Sequence, residues 1–322
     1  MIKVKFVDFS DSTTRDITMK ILEEEFGDVQ ECDDPNFLFY SVFGNEHLNY
    51  DCVRIFWTGE NIQPDFNICD YAVGFSHMVF EDRYRRIPLY YFYVKDYELA
   101  RKKHLIAEQE IENKTKFCNF VYSNKDASPE RENFLDLLCE YKSVDSGGRY
   151  RNNIGGPVED KREFQKNYKF SIAFENSSTS GYTTEKILQA FSACTIPIYW
   201  GNPNVAKDFN EKAFINCHSY HNLEDVVEAV RKIDQDDELF RQYLSEPIGT
   251  DEQFPEYSFK EWREFVIYIC KQEPQDAMRR NNVFWGAKYQ NRMKHFYKMD
   301  KIYKKFKKIY SLLKKPFTKS KK

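Results

Sequence analysis

The stretch from Lys169 to Cys194 gathers the residues best suited to chemistry. A strand-like run, KFSIAFE (169–175), leads into the polar loop NSSTSGY and then into a helical pattern from about Thr183 to Cys194. In an open parallel sheet, ligands bind beyond the carboxyl ends of the strands, facing the N-termini of the following helices. Such a helix end offers free N–H groups and a partial positive charge, which suit a phosphate. Here the loop adds Asn176, several hydroxyls and Tyr182, and the helix opens with Thr183, Thr184, Glu185 and Lys186. Lys186 can hold a diphosphate oxygen, and Glu185 can accept hydrogen bonds from sugar hydroxyls. The bland alternative is a pair of charges decorating a first turn. A dinucleotide site or a P-loop is disfavoured, because neither glycine pattern is present.

The elements around this stretch repeat a β-α-β rhythm. Ile187, Leu188, Ala190, Phe191 and Cys194 fall on one helical face, and strand IPIYW (196–200) follows. Upstream, strands are expected at 3–9, 37–43, 53–58, 71–76, 88–94 and 117–123, with helices at 14–26 and within 98–115. Ser128 with Pro129 reads as an N-cap and first-turn pair for a helix to Tyr141. SGGRYRNNIGG (146–156) is a loop, and KREFQKNY a short helix. Downstream lie a strand at 214–217, helices near 222–233 and 236–245, and a capping box, Ser258-x-x-Glu261, opening a helix to about Gln272. The pattern implies an α/β fold with two parallel sheets, each covered by helices on both faces.

At 322 residues the chain exceeds the roughly 250–300 at which one core stops growing, so two domains are expected. Its 28 Phe and 22 Tyr exclude a chain that is disordered throughout. No apolar run reaches the length of a membrane span. The N-terminus reads as strand and loop rather than as a signal peptide, which places the protein in the cytoplasm. The eight cysteines are scattered without metal or disulfide spacing and are expected to be reduced, mostly buried thiols. The net charge of −3 hides a split. Residues 288–322 hold 14 Lys and Arg against one acid, Asp300, while residues 1–287 hold 34 basic and 50 acidic residues. Only the tail is suited to an anionic partner.

FENSSTSGYTTEKILQAFSACTIPIYWGNP (174–203), followed by VAKDF (205–209), resembles the signature of the α-1,3-fucosyltransferases, glycosyltransferase family 10, in its bacterial form. WTGENIQPDFNICDYAVGF (57–75), DRYRRIPLYY (82–91), SNKDASPER (123–131) and RNNIGG (151–156) resemble further family segments in the same order. The resemblance covers roughly residues 50–270. It implies a GT-B fold, with two Rossmann-like domains facing across a cleft. The ranges expected are 1–115 for an acceptor-binding domain, 116–275 for a GDP-fucose-binding domain and 276–322 for C-terminal helices with a basic amphipathic tail. It further implies inverting transfer of L-fucose from GDP-β-L-fucose to N-acetylglucosamine in Lewis-type or lipopolysaccharide O-antigen acceptors, with N-acetyllactosamine-type glycans as partners and no cofactor or metal.

Carried over by position, Glu60 matches the family's general base, and Asp65 and Asp70 are the nearest other carboxylates in that segment. Arg131 and Lys186 match the two diphosphate-binding cations, Glu185 the ribose-binding carboxylate, and Asn176 and Tyr182 loop residues that contact the donor. The roles agree with the chemistry. An inverting transfer needs a carboxylate to take the acceptor proton. The departing diphosphate needs cations and N–H donors. Two features depart from the family's gastric bacterial members: the interval from Glu60 to Arg131 is shorter, and the leucine-rich heptad repeats before the tail are missing. A relative with 1,4 or mixed linkage, or with another acceptor, is the alternative enzyme.

Asp234-x-Asp236 resembles the metal motif of the other large glycosyltransferase fold, but it lies between two helical patterns, where Asp serves as an N-cap. His218 and His221 form a pair without a third ligand. A basic-tailed nucleic-acid-binding protein is the reading from another class; the acidic body and the lack of any nucleic-acid motif argue against it. In the tail, Ile302, Tyr303, Phe306, Ile309, Tyr310 and Leu313 recur at helical spacing from Met299, with lysines at the other angles and Pro316 closing the helix. That pattern suits a helix lying in an anionic membrane interface through residues 290–322, at the inner face of the cytoplasmic membrane.

Overall fold

The computed structural model describes residues 1–313, with side chains described through residue 307. Two parallel sheets with flanking helices give the α/β architecture of the GT-B type. The first sheet is built from β1 (Ile2–Val7), β2 (Val29–Glu31), β3 (Phe37–Tyr40), β4 (Val53–Trp57), β5 (Tyr71–Gly74) and β6 (Tyr84–Arg86), in the order β2-β1-β3-β4-β5-β6. Helix α1 (Thr13–Phe26) makes the crossover from β1 to β2. All four residues of β3 and of β5 are buried, as expected for parallel strands covered on both faces.

Helices α2 (Val94–Arg101) and α3 (Lys103–Glu110) precede the second sheet. Its strands are β7 (Lys116–Phe120), β8 (Val144–Ser146), β9 (Tyr168–Phe174), β10 (Ile196–Trp200) and β11 (Ile215–Asn216), all parallel, in the order β11-β10-β9-β7-β8. The connections are α4 (Glu130–Tyr141), α5 (Lys161–Gln165) and α6 (Glu185–Ser192); after β11 come α7 (Leu223–Gln235), α8 (Asp237–Ser245), α9 (Lys260–Cys270), α10 (Pro274–Ala277) and α11 (Phe284–Leu313). One core face joins Phe117, Phe134, Leu138, Phe170, Ile196 and Val230; the other joins Ile187, Leu188, Phe191, Tyr199 and Phe209.

The compact units are drawn differently from the sequence ranges 1–115, 116–275 and 276–322. One unit comprises residues 1–58, 64–73 and 265–322, the other residues 59–63 and 74–264. Residues 94–110 join the second unit because α2 packs on α6 and α3 on α8. The buried Lys103 ammonium caps the α8 carbonyls of Leu244 at 2.7 Å and Tyr243 at 3.2 Å. The chain from residue 265 returns to the first unit through Arg280, whose fully buried guanidinium pairs with Asp70 and donates to the Cys52 carbonyl.

Several expected elements differ. Residues 88–94 form no strand: Leu89–Phe92 is a 3-10 turn, because Pro88 starts i→i+3 pairing and the buried Tyr90 and Phe92 rings pack on Phe209, Phe259 and Trp262. Pro129, not Ser128, is the N-cap of α4; the Ser128 N–H donates to the Asn176 carbonyl at 2.8 Å. The capping box does not form, since α9 begins at Lys260 and the Ser258 hydroxyl is buried without a hydrogen-bond partner. Strand β8, three residues without periodicity, was not expected. The tail helix starts at Phe284 rather than Met299. The side chains of Lys308, Ile309, Tyr310 and Leu313, and Pro316 altogether, lie outside the described residues.

Candidate active site

The order of the second sheet locates the site. From β7 the chain crosses to β8 on one side, then returns to β9 on the other, so the loops after β7 and β9 diverge. A crevice opens at such a switch point, at the carboxyl ends of the strands. Arg131 comes from the first turn of α4, after β7, and is 2% exposed. Its guanidinium stacks over the Tyr122 ring at 4.4 Å and donates to the Asn176 side-chain oxygen at 3.2 Å and the Asn124 carbonyl at 2.6 Å. The Tyr122 hydroxyl is itself fixed, accepting from Phe174 N–H at 2.7 Å.

Lys186, in the first turn of α6, donates to the Glu175 carboxylate at 2.9 Å and to the Thr184 hydroxyl at 2.9 Å. The two cations are therefore gripped by consecutive residues, Asn176 and Glu175, whose Cα atoms are about 3.8 Å apart. Glu185 lies beside them. Burial pushes its carboxyl up, but Lys186 and Lys161 outweigh this and hold it below the ordinary 4.5. Lys161, at the start of α5, donates to Gln189 at 2.7 Å, and burial pulls its ammonium down to about 8. The N–H of Thr184, the N-cap of α6, is taken by Glu175 at 2.7 Å.

The loop between β9 and α6 is braced from two sides. The Arg86 guanidinium pairs with Asp208 at 2.7 and 2.8 Å and also donates to the Phe75 and Gly181 carbonyls. Gly181 has φ of +85°, and a Cβ there would lie 2.4 Å from the Phe75 oxygen, so only glycine fits. Tyr182 is buried, edge-on to Phe75 at 5.1 Å, and burial raises the pKa of its hydroxyl. Glu60 is exposed, on the 59–63 segment. Its neighbour Asn61 donates to both the Ser177 and Thr179 hydroxyls at 2.7 Å, which fastens the segment to the same loop. The structure thus gathers Arg131, Asn176, Glu185 and Lys186 at one crevice and ties the Glu60 segment to the loop that carries Tyr182.

Comparison with known proteins bears on this crevice. The model described as "Glycosyltransferase family 10 (fucosyltransferase) C-term" matches residues 111–272, and "Alpha-(1,3)-fucosyltransferase FucT N-terminal domain" matches residues 4–93. The chain belongs to glycosyltransferase family 10. Among its relatives is an α-(1,3)-fucosyltransferase FucT of Helicobacter pylori, 38% identical over 67% of this chain and 53% of the relative. The chain thus spans about half the length of that protein. Crystal structures of an α1,3-fucosyltransferase superpose with TM-score 0.76 at 28% identity, and with GDP-fucose bound with TM-score 0.72 at 30% identity. These matches cover 88% and 87% of this chain, and 93% of the other chain in both cases.

Within this family member, the other candidate carboxylates and His218 have structural work. Asp70 is sealed with Arg280 and accepts backbone N–H groups of Arg54, Arg279 and Arg280, which removes it as a substitute base. Asp65 accepts from Asn67 N–H and the Tyr289 hydroxyl. Asp236 caps α8, and Asp234, inside α7 rather than a linker, pairs with Lys142 and Lys169. His218 stacks on Trp200 and meets Gly201. Sequence reasoning missed Glu175, Asn61 and Lys161. Glu175 stood inside the quoted FEN triplet, so its place in the motif was the available signal; Asn61 and Lys161 find their partners 116 and 28 residues away.

Proposed function

We propose that the chain transfers L-fucose from GDP-β-L-fucose to the 3-hydroxyl of N-acetylglucosamine, or glucose, in Lewis-type or lipopolysaccharide acceptors, inverting the anomeric centre. The observation that carries this reading is the pair Arg131 and Lys186, anchored on adjacent residues at the switch point of the second sheet. Two cations held there meet the charge that builds on the departing GDP. Glu185, kept ionised by its lysine neighbours, accepts from the ribose hydroxyls, and Asn176 and Tyr182 contact the donor. Glu60, exposed and fastened near the donor loop by Asn61, takes the acceptor proton as the C1–O bond breaks. Acceptor recognition is assigned to the N-terminal part of the chain. Because protein cations supply the neutralising charge, chelation with EDTA leaves transfer intact.

The test is an acceptor panel with GDP-fucose, comparing type 1 chains, type 2 chains and free lactose, with product linkage read by NMR. A 1,3-linked product on type 2 chains is expected. A 1,4 or mixed product would move the linkage, and no transfer to any acceptor would overturn the reading.

The tail supports a second partner, an anionic membrane surface at the inner face of the cytoplasmic membrane. Along α11 the exposed Trp285, Phe296, Met299, Tyr303 and Phe306 share a stripe, with Lys294, Lys298, Lys301, Lys304 and Lys305 at other angles and Lys288 over the Trp285 ring. Among the described residues no helix is long and apolar enough to cross a membrane. Full-length protein should sediment with anionic vesicles and release in high salt; removal of residues 290–322 should abolish binding but spare transfer. Equal vesicle binding without the tail would sink this partner. Nucleic acid should show no comparable binding.

A further inference from the structure

Glu175 follows β9, and its N–H still pairs with the Trp200 carbonyl at 2.8 Å, continuing the sheet edge toward the crevice. Its side chain has no exposed surface. A buried carboxylate persists only where hydrogen bonds and a counter-charge replace water. Here one oxygen accepts the Thr184 N–H at 2.7 Å; the other accepts the Thr184 hydroxyl at 2.6 Å and the Lys186 ammonium at 2.9 Å. The Thr184 hydroxyl also accepts from Lys186, closing a triangle of three side chains. Space for the carboxylate comes from Gly201, where a Cβ would stand 2.4 Å from the Glu175 Cγ. The Lys186 side chain, by contrast, keeps 13% of its surface exposed. The arrangement is asymmetric: a sealed anion behind a cation with an open face.

We propose that Glu175 is a positioning residue for the diphosphate: bridged by Thr184, its carboxylate holds the Lys186 ammonium at the carboxyl end of β9. The inference rests on the nucleotide-diphosphate reading of this crevice. Burial alone pulls the Lys186 ammonium toward neutrality; Glu175 and Glu185 more than offset it, and its pKa stands above the ordinary 10.5. The same carboxylate therefore fixes where the cation sits and keeps it protonated.

Calorimetric titration of GDP into wild type, Glu175→Gln, Lys186→Ala and the double variant tests this, at about pH 7.5 and about pH 9. Glu175→Gln should weaken GDP binding about tenfold at the lower pH, the loss of one charge-assisted contact, and more at the higher pH as Lys186 deprotonates. In the Lys186→Ala background the same change should alter affinity by less than about twofold, because its effect passes through Lys186. Wild-type affinity in Glu175→Gln, or losses that add in the double variant, would overturn the positioning role. The Lys186→Ala arm separates the two readings. Unchanged affinity there removes the diphosphate site itself, whereas a loss there beside none in Glu175→Gln removes only the positioning. Should Glu175→Gln not fold, Thr184→Val deletes the bridging hydroxyl, and the same weakened, non-additive pattern is required of it.

Discussion

Each sheet has a switch point, and the two are used differently. In the first, β1 leads to β2 on one side and the chain returns to β3 on the other. Asp8 stands at the end of β1 with a buried side chain, and it is fully spent. It accepts the N–H groups of Glu46 and His47 at 3.0 Å each and meets the His47 ring at 2.7 Å, so a turn of the chain fills the position a ligand would take. In the second, Asn176 and Glu175 each hold a cation; the Lys186 side chain keeps 13% of its surface open to an anion, whereas Arg131 is 2% exposed. Topology supplies a crevice in both places; the sign and accessibility of the side chains decide which one is a site. An acid closed by backbone N–H groups is a cap. A cation backed by a sealed acid is the receptor proposed for the diphosphate.

That contrast can be broken experimentally. Asp8→Ala leaves the Glu46 and His47 N–H groups and the His47 ring without their acceptor and should lower unfolding free energy by about 1–3 kcal/mol in denaturant titration, while GDP affinity of the folded protein stays unchanged. A loss of GDP binding without loss of stability would make the first switch point a site after all. Glu60→Gln should cut turnover by about 10²-fold or more and leave GDP affinity nearly intact, the signature of a base that acts only in the transition state. Near-normal turnover would reassign the proton acceptor.

Smaller effects sharpen the comparison. Asn61→Ala frees the Glu60 segment from Ser177 and Thr179 and should lower kcat about three- to tenfold with little change in KM for GDP-fucose; a pure KM effect would place Asn61 in binding. The smallest effect is in pH. Burial pushes the Asp8 carboxyl up, but hydrogen bonds from His47 and Glu46 outweigh it and set its pKa below the ordinary 3.8. The unfolded state then binds the proton more readily, so this stabilisation is complete above about pH 4 and is lost as pH falls through the depressed value. Melting temperatures of wild type and Asp8→Asn should converge as pH falls below about 4. A constant gap would show that the charge on Asp8 adds nothing.

How far the sequence went can be judged from particular residues. Strand β9, the loop and α6 were legible because an apolar run, a polar loop and a 3.6-residue stripe carry their own periodicities. The site residues followed from the same stretch and from the ordered family segments. The aromatic run at 88–94 misled, since β propensity there was overruled by packing against Phe209 and Trp262. Ser128 and Ser258 misled as caps because a neighbouring backbone and local packing set where α4 and α9 begin. The Asp8–His47 and Asn61–Ser177 pairs, separated by 39 and 116 residues, leave no local mark. Neither does the burial of Glu175: the FEN triplet marks the position, but nothing in the sequence marks its carboxylate as sealed.

The measurement closest to the central claim is calorimetric GDP binding to wild type, Arg131→Ala and Lys186→Ala. Each variant should lose about 1.5–3 kcal/mol of binding free energy, one charge-assisted hydrogen bond apiece, measured below the melting temperature, which Lys186→Ala should lower because it leaves the buried Glu175 carboxylate without its counter-charge. Wild-type GDP affinity in both variants would contradict the assignment of the second switch point as the donor site.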